Sequence, residues 1–409
     1  MPLFSPLFSL YLHVPFCVSK CSYCAFYSEP LGETPFLSNP PVSSRPFIMD
    51  SFISNPSITK WLLALSREAG YIDEIWEGRP RLRTLYIGGG TPTVLSLSQW
   101  ERLLGILEGA FDFSVIEEVT VEANPCSLTE GHLRLWRDSF VTRVSVGVQS
   151  LQDDELSWLG RRHGSRMALQ ALEKTLSCGF DVSADLIFGL PFQTLRTWHD
   201  SLRGVAGSGV GHISAYQLTL EPGTPLARSS PSLPEGYSFY RFAQWYLPRR
   251  GLEQYEIASF SRPGKECRHN AAYWRQDPVL ALGPGAWGYL SGFRYRNAPT
   301  LEEYAAWAAT RPPVAEAERL GAPEGEFSQS HSRPRGVEAA ILALRTKWGI
   351  DTTSFARRFG EELTEEVLGV LKKIPPRLVE FFEGGVRLTS SGMRVGNAIW
   401  VELLELADR

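Results

Sequence analysis

The chain has 409 residues, of which 43% are hydrophobic and 21% charged, with a formal net charge of −4. This composition is typical of a soluble globular protein that is long enough for two domains. The slightly acidic balance argues against a nucleic-acid partner, and no apolar run reaches the ~18–20 residues needed to span a bilayer.

Cysteine usage indicates the cellular compartment. The six cysteines do not form the dense, even framework of a small secreted domain. The apolar N-terminal run lacks the basic region of a signal peptide and continues into the first strand pattern. We therefore expect a cytoplasmic protein without a transmembrane segment, and contact with a membrane surface stays open.

Strand and helix patterns alternate along the first 220 residues. Strands are predicted at Leu10–Val14, Leu82–Ile87, Glu118–Glu122, Arg143–Val148, Val182–Phe188 and Ile213–Leu218. Helices are predicted at Ser57–Ala69, at Ser98–Ala110 opening on a serine cap, from about Thr129, at 153–160, at 165–178 and from Leu195. Six consecutive β–α units predict a parallel sheet with right-handed crossovers. The expected fold class is therefore α/β, an open, partial (β/α)6 barrel of TIM-like type.

Polar residues follow the predicted strands at their carboxyl ends, where barrels of this kind gather their chemistry. A cysteine-containing loop follows the first strand, and Gly88-Gly89-Gly90-Thr91 follows the second. Glu122, Gln149 and Asp185 lie in or at the end of the next three strands. Because these ends meet at one mouth of the barrel, we expect a single polar cavity there.

Three cysteines, Cys17, Cys21 and Cys24, have the spacing Cys-x3-Cys-x2-Cys within one loop. Thiolates so close in sequence can share one metal centre. An iron–sulfur cubane held by three cysteines would leave one iron open, because full ligation takes four. A zinc site formed by the three thiolates and His13 is the alternative, and a disulfide is a weaker one.

The glycine-rich turn and the acidic strand positions each have two interpretations. Gly89, Gly90 and Thr91 let the backbone approach a ligand closely, or form only a tight turn. Glu122 and Asp185 are carboxylates in apolar strands and bind either a ligand or structural cations. The available cations are Arg143, Arg161 and Arg162.

Several motifs together resemble one family, the oxygen-independent coproporphyrinogen III oxidase-like group of the radical S-adenosylmethionine (SAM) superfamily. They are Tyr11 to Cys17, Gly88-Gly89-Gly90-Thr91-Pro92-Thr93, Val121 to Pro125, Ser145 to Ser150, Asp185 to Pro191 and Tyr216 to Pro222. The resemblance covers most of residues 8–300 and resumes in the C-terminal part.

The resemblance implies a [4Fe-4S] cluster on Cys17, Cys21 and Cys24, with SAM bound to the open iron and an external electron donor. In the superfamily, the reduced cluster splits SAM to a 5′-deoxyadenosyl radical. The SAM-site residues that the resemblance implies are Tyr11, Tyr23, Gly89, Gly90, Thr91, Glu122, Gln149, Arg161 and Asp185. Arg161 would meet the SAM carboxylate with a bidentate fork. Tyr11 and Tyr23 flank the cysteines, and Tyr11 is also compatible with a plain core aromatic.

Two branches of this family compete. The dehydrogenase branch, which oxidatively decarboxylates coproporphyrinogen III, carries a further cysteine just after the third, where this chain has Ala25-Phe26-Tyr27-Ser28. The heme chaperone branch carries a His-Asn-x-x-Tyr-Trp motif linked to heme binding, and this chain has it at residues 269–274. The resemblance thus implies a protein that binds heme and delivers it to a heme-accepting protein.

His269 is the candidate heme ligand through its imidazole. A buried structural histidine is the alternative interpretation, and Cys267 is another candidate axial ligand. The dehydrogenase remains the alternative function, and a radical SAM enzyme acting on RNA or protein is a more remote one. Whether the chain is an enzyme is therefore left open.

The sequence predicts that the chain is divided into three parts. Residues 1–310 form the core barrel and its extension, 311–335 form a linker rich in Pro, Glu, Ser and Gly, and 336–409 form a small winged-helix-like domain. The elements of that domain are predicted as helices Val337–Lys347, Thr352–Phe359, Leu363–Lys372 and Met393–Leu404 and a strand Val386–Thr389. Its acidic residues favour partner docking over DNA binding. The long loop at 28–56 is predicted to be a lid, a partner surface or an insertion without fixed structure.

Overall fold

The computed structural model describes residues 7–31, 55–75, 78–290, 292–310 and 333–407. Most of the predicted loop at 28–56 and most of the predicted linker at 311–335 lie outside these residues. A helix begins at Arg333, inside the stretch predicted as a linker.

An 11-stranded sheet forms the body of the protein. Six of its strands run parallel and in sequence order, which confirms the open, partial (β/α)6 barrel. Its strands are β1 (Leu7–Val14), β4 (Arg81–Gly89), β5 (Glu118–Ala123), β6 (Arg143–Gln149), β7 (Asp181–Phe188), β8 (His212–Gln217), β9 (Glu253–Gln254), β10 (Ser259–Ser261), β11 (Val279–Leu282), β12 (Trp287–Leu290) and β13 (Phe293–Arg296), in the order β13-β12-β11-β1-β4-β5-β6-β7-β8-β10-β9. Two further strands, β2 (Phe16–Cys17) and β3 (Glu29–Pro30), pair only with each other in the described residues.

Helices accompany this sheet, most of them on its outer face. They are α1 (Pro56–Ile75), α2 (Leu97–Ala110), α3 (Glu130–Arg137), α4 (Asp153–Trp158), α5 (Ser165–Ser177), α6 (Leu195–Gly207), α7 (Pro225–Ser229), α8 (Tyr237–Tyr246), α9 (Arg268–Arg275) and α10 (Leu301–Thr310). The parallel strands are buried on both faces, so their apolar residues form one core with the helices.

Local capping fixes where several helices begin. The Ser96 hydroxyl accepts a hydrogen bond from the Gln99 backbone N–H, and the Ser96 backbone N–H donates in turn to the Gln99 side-chain oxygen. Helix α2 therefore starts at Leu97, one residue before the predicted Ser98, because Ser96 has the partner that completes a capping box. Thr129 and Thr194 cap α3 and α6 in the same reciprocal way.

The C-terminal part has its own apolar core and a three-stranded sheet. Its helices are Arg333–Leu344, Thr352–Phe359, Glu361–Leu371, Ser390–Arg394 and Gly396–Leu404, and its strands are Ile350–Asp351, Val379–Phe382 and Gly385–Leu388. Helices with a β-ribbon confirm the winged-helix-like class. The prediction of a single helix at Met393–Leu404 is wrong, because the helix is interrupted at Val395 and two helices form.

Among the described residues, no helix is both long and apolar enough to cross a bilayer.

Candidate functional site

The loop that carries the three cysteines is closed at its base by a short parallel ladder. Strand β2, which ends on Cys17, pairs with β3, so that Cys17 lies opposite Pro30. The Glu29 amide donates to the Pro15 carbonyl at 2.7 Å, and the Leu31 amide donates to the Cys17 carbonyl at 2.8 Å. Both ends of the loop are therefore fixed at the mouth of the barrel.

The middle of the same loop is attached to the end of α4 and to the start of α7. The Ser22 hydroxyl donates to the Leu159 carbonyl at 3.2 Å, and the Leu226 amide donates to the Ser22 carbonyl at 2.9 Å. A turn closes when the Cys24 amide donates to the Cys21 carbonyl at 3.2 Å. One anchored turn thus presents all three thiols.

The three thiols are free, partly buried and electrostatically coupled. Burial, with smaller effects of the neighbouring Cys21 and Cys17, raises the pKa of Cys24 to about 11. The Cys17 sulfur lies 3.4 Å from the Thr91 hydroxyl, and an Arg161 N–H donates to the Cys21 sulfur at 3.4 Å. Buried thiols resist ionisation on their own. They become thiolates on binding a metal centre, because its positive charge stabilises the ionised form. The donor set therefore fits an iron–sulfur cluster.

The zinc alternative required His13 as the fourth ligand, and the structure directs this side chain elsewhere. His13 Nε2 donates to the Tyr27 carbonyl at 2.9 Å, and Nδ1 lies 3.0 Å from the Tyr11 hydroxyl, which donates to it. Both ring nitrogens are occupied. Within the described ranges, no three His, Cys, Asp or Glu side chains converge closely enough to hold a single metal ion.

The triple-glycine turn lies against the cysteine loop, and its geometry requires glycine. Gly89 has φ +104°, and a Cβ there would lie 2.3 Å from His13 Nδ1. A Cβ on Gly90 would lie 2.5 Å from the Phe16 carbonyl oxygen. The N–H groups of residues 89, 90 and 91 already donate within the protein, to Glu122, Val14 and Phe16. These N–H groups are therefore not free to bind a ligand. The carbonyl oxygens of the turn are the groups that could accept from a ligand amino group.

Glu122 and Asp185 are held by neutral donors. Glu122 accepts from the Tyr86 hydroxyl at 2.8 Å and from the Gly89 amide at 3.1 Å. Asp185 accepts from the Ser145 hydroxyl at 3.0 Å. Neither carboxylate forms a salt bridge in the described part of the chain, so the ion-pair alternative has no support. Burial raises the pKa of both groups, that of Glu122 to about 7.

Gln149 and Arg161 meet over Gly147 at the end of β6. Gln149 has a positive φ of 66°, which is strained for a residue other than glycine, and the ladder to β7 shifts register there. Arg161 donates to the Gly147 carbonyl at 2.9 Å, and its buried Nε has no partner among the described groups. A buried guanidinium with an unused N–H beside the cysteine loop suits an anionic ligand group.

The two tyrosines take different positions. Tyr11 donates to His13 and stacks on Tyr86, with 6.3 Å between the ring centroids. It lies inside the barrel below the cysteine loop. Tyr23 packs beside Cys21, Cys24 and Arg161, against a small apolar cluster that includes Leu159. Tyr23 therefore borders the cysteine loop directly, whereas Tyr11 acts through His13.

His269 lies away from this mouth, near the amino-terminal ends of the strands. Its imidazole is fully buried, with Nδ1 2.9 Å from the Thr84 hydroxyl and the ring stacked on Tyr86 at 5.2 Å. Nε2 has no partner among the described groups. Burial, with a smaller effect of the Arg143 charge, lowers the pKa of His269 to about 3. Heme iron therefore has no access to Nε2 in this conformation.

Glu118 holds the start of α9 in that position. Its carboxylate accepts from the amides of Arg268, at 2.9 Å, and His269, at 3.0 Å. The Cys267 thiol is buried beside it, and burial raises the pKa of Cys267 to about 12. Cys267, the other candidate axial ligand, is therefore also enclosed.

Tyr86, which no sequence pattern had singled out, and Gly88, the first residue of the predicted glycine turn, lie beside Glu122. Tyr86 contacts Glu122, Tyr11 and His269. A Cβ on Gly88 would lie 2.7 Å from Glu122 Cδ. Strand alternation could have found Tyr86, since residues 84, 86 and 88 share the inner face of β4.

The mouth thus brings together the three cysteines, the glycine turn, Glu122, Gln149, Arg161 and Tyr23. It offers thiol ligands, backbone carbonyls, carboxylates and a cation at the same end of the barrel. An amino acid-like ligand with both amino and carboxylate groups has complementary partners on its walls. His269 is outside this set.

Comparison with known proteins shows which families share these features. The model of the radical SAM superfamily matches residues 11–204, and that of the HemN C-terminal domain matches residues 333–395. In solved structures, the fold is similar to that of the coproporphyrinogen III oxidase HemN from Escherichia coli. The TM-score is 0.75 at 21% identity, covering 98% of this chain and 91% of that chain.

Curated relatives carry the name heme chaperone HemW. The Bacillus subtilis (strain 168) protein is 30% identical over 403 residues, covering 96% of this chain and 98% of the relative. The Mycobacterium tuberculosis (strain ATCC 25618 / H37Rv) protein is 34% identical over 410 residues, covering 97% and 95%. The Escherichia coli (strain K12) protein is 33% identical over 291 residues, covering 70% and 71%.

Proposed function

The chain belongs to the HemW family of radical SAM proteins, and from this we propose that it is a heme chaperone that binds a [4Fe-4S] cluster, SAM and heme. In this proposal it delivers heme to an acceptor protein. The observation that carries the proposal is similarity along nearly the whole chain to relatives named heme chaperones, in a chain whose three clustered thiols are free and anchored.

Cys17, Cys21 and Cys24 hold the cluster in this proposal. The cluster supplies one-electron chemistry and an iron site for SAM. Arg161 stabilises the thiolate of Cys21, to which it already donates. The anchoring of Ser22 by Leu159 and Leu226 keeps the three sulfurs on one turn.

The remaining wall residues orient SAM. Arg161 and Gln149 lie where a carboxylate can be bound, and the glycine turn offers carbonyl oxygens to an amino group. Glu122 keeps the turn in place through the Gly89 amide and faces the cavity with Asp185. Tyr23 closes the side next to the cysteines, and Tyr11 positions His13.

The proposal that this chain binds heme rests on its membership of the family. The relatives are named for it, and this chain has Phe26 near the position where the dehydrogenase branch has its further cysteine. The exposed fraction of Phe26 is 67%. His269 stays a prediction as the axial ligand. The electron donor and the heme-accepting protein also stay predictions.

The cofactor part is tested by anaerobic reconstitution with iron and sulfide. Single Cys17→Ser, Cys21→Ser and Cys24→Ser variants should each lose most cluster iron and sulfide relative to wild type. Cys178→Ser is the matched control, because Cys178 is also free and partly buried but caps the end of α5 on the outside of the barrel. Equal iron in all four variants would contradict the assignment.

The chaperone part is tested on the same reconstituted sample. Heme should bind with defined stoichiometry and be recovered in heme-free myoglobin added as a trap. With coproporphyrinogen III, SAM and a reductant, no decarboxylation is expected. Decarboxylated porphyrinogen formed together with 5′-deoxyadenosine would replace the chaperone with the dehydrogenase.

A further inference from the structure

Trp287 and Arg296 form an exposed aromatic and cationic pair on the β12–β13 hairpin. They are direct cross-strand partners, and the Arg296 guanidinium lies over the Trp287 ring at 5.6 Å from its centroid. The exposed fraction of Trp287 is 53%, and Arg296 is also exposed. Half of a large indole ring thus faces solvent, with a cation fixed beside it.

This pair lies beside the cysteine loop. Strand β11 runs parallel to β1, so the turn after it reaches the same mouth as His13 and Val14. Gly285, in that turn, has φ +68°, and a Cβ there would lie 3.7 Å from Arg296 Nη2 and 3.8 Å from Tyr27 Cβ. The charge of Arg296 also lowers the pKa of His13, after the larger effect of burial. The pair and Tyr27 therefore border one corner of the mouth.

The Arg296 guanidinium offers an anionic ligand a cation in this corner. Arg294, two positions away, pairs with Glu338 at 2.5 Å, whereas no carboxylate of the described residues pairs with Arg296. Of the two acidic neighbours of Tyr27, Glu302 has its charge balanced by a cation, whereas Glu29 keeps its charge. Glu29 accepts from the Tyr27 hydroxyl at 2.6 Å, and Glu302 pairs with Lys60 at 2.6 Å.

Heme has the complementary chemistry, since it is a flat apolar macrocycle with two propionates at one edge. An indole face can stack on the macrocycle, and a guanidinium can bind a propionate. Phe26, the exposed aromatic residue next to Tyr27, adds apolar surface at the cysteine-loop side. His269 offers no exposed surface to a macrocycle in this conformation.

We infer that heme docks at the mouth of the barrel, with its macrocycle on Trp287 and a propionate on Arg296. This inference rests on the proposed heme-binding function and deepens it by assigning the surface. It requires no axial ligand from the pair itself, and it places the cargo next to the cysteine loop rather than at α9.

Heme titration of the reconstituted full-length protein tests the inference. Trp287→Ala should weaken heme binding about tenfold, because an aromatic anchor is lost. Arg296→Gln should weaken it about two- to fivefold, the range of an exposed ion pair, and Arg296→Lys should retain most of the affinity. Titration with heme dimethyl ester, which lacks the propionate charges, should abolish the difference between wild type and Arg296→Gln.

The chain offers a matched control in Trp245 on α8. Its exposed fraction is 51%, and Arg249 lies over its ring at 4.4 Å. Trp245→Ala and Arg249→Gln should bind heme as wild type does. Cluster iron and thermal unfolding, measured on each sample, show that the variants keep the fold.

The outcomes distinguish a failure of the proposed heme-binding function from a failure of the docking surface alone. Wild-type protein that binds no heme would remove the proposed function and the docking surface together. Wild-type binding that Trp287→Ala and Arg296→Gln leave unchanged would overturn the docking surface alone. Equal losses in the Trp245 and Trp287 variants would also overturn it, and an Arg296 effect that persists with the ester would overturn the propionate contact.

Discussion

Arg161 donates one N–H to the Cys21 sulfur and another to the Gly147 carbonyl, so that a single side chain joins the cysteine loop to the end of β6. Its buried Nε has no partner among the described groups. The neighbouring residue, Arg162, is exposed. The two adjacent arginines therefore allow a paired experiment.

Arg161→Gln should lower SAM affinity about 10- to 100-fold, because a charged hydrogen-bond partner of the ligand is lost. Arg162→Gln should change it less than about twofold. Anaerobic calorimetric titration checks this, with affinity compared at equal cluster content. Identical affinities of the two variants would exclude Arg161 from the SAM site.

Gly89→Ala should destabilise the mouth and displace His13. The change combines a positive φ with a Cβ placed 2.3 Å from His13 Nδ1. Gly179→Ala is the control, since Gly179 has φ +87° and nothing within 4 Å of the added Cβ. We expect about 1 kcal/mol of lost unfolding free energy for the control and a clearly larger loss for Gly89→Ala. Urea unfolding measures both, and equal losses would contradict the close contact.

The prediction that His269 ligates heme iron has its own test. It requires His269→Ala to change the heme absorption spectrum or the binding stoichiometry. His212→Ala is the control, because His212 is also buried and its Nε2 lies 2.9 Å from the Tyr255 hydroxyl. Spectra that match wild type in both variants would exclude His269 as the ligand and leave heme binding elsewhere intact.

Glu68 should make the stability of the protein depend on pH. This carboxyl is buried on α1 and accepts from the Gly283 amide, the Asn297 amide group and the Tyr304 hydroxyl. Burial raises its pKa to about 7 despite those bonds, each of which lowers it. Because the folded pKa lies above the ordinary value, the protonated form stabilises the fold, and this contribution is lost as pH rises through about 7.

The stability of wild type relative to Glu68→Gln should therefore fall by up to about 3 kcal/mol between pH ~4.5 and pH ~7.5. Glu303→Gln, at an exposed position of α10, should show no such trend relative to wild type. Denaturant unfolding at a series of pH values gives the comparison. A constant difference between wild type and Glu68→Gln would show that Glu68 keeps one protonation state.

The sequence was sufficient for the parallel part of the fold because its strands are long apolar runs that each precede a helix pattern. The predicted Val182–Phe188 strand, for example, is observed as Asp181–Phe188. The short strands from Glu253 to Arg296 carry only two to four residues each, too few for a periodic pattern. The break at Val395 was missed for a different reason. Apolar residues on both sides of it have the spacing of one continuous helix.

The candidate site was predictable where polar residues interrupt apolar strands, as Glu122 and Asp185 do. Tyr86 was missed because an aromatic residue in a buried strand resembles ordinary core. The burial of His269 could not be read from its motif, because it depends on Thr84 and Glu118, which are distant in sequence. The occupied N–H groups of the glycine turn likewise depend on tertiary contacts with Val14 and Phe16.

Helix α9 has a second neighbour, on the side away from the barrel. Arg345 of the C-terminal part stacks on Trp274 at 4.6 Å, and Arg358 donates to the Gln276 side chain at 2.9 Å. Uncovering His269 would mean breaking these contacts as well as the Glu118 cap. The winged-helix-like part thus holds the far side of α9, and displacing it would remove the contacts that Trp274 and Gln276 make there.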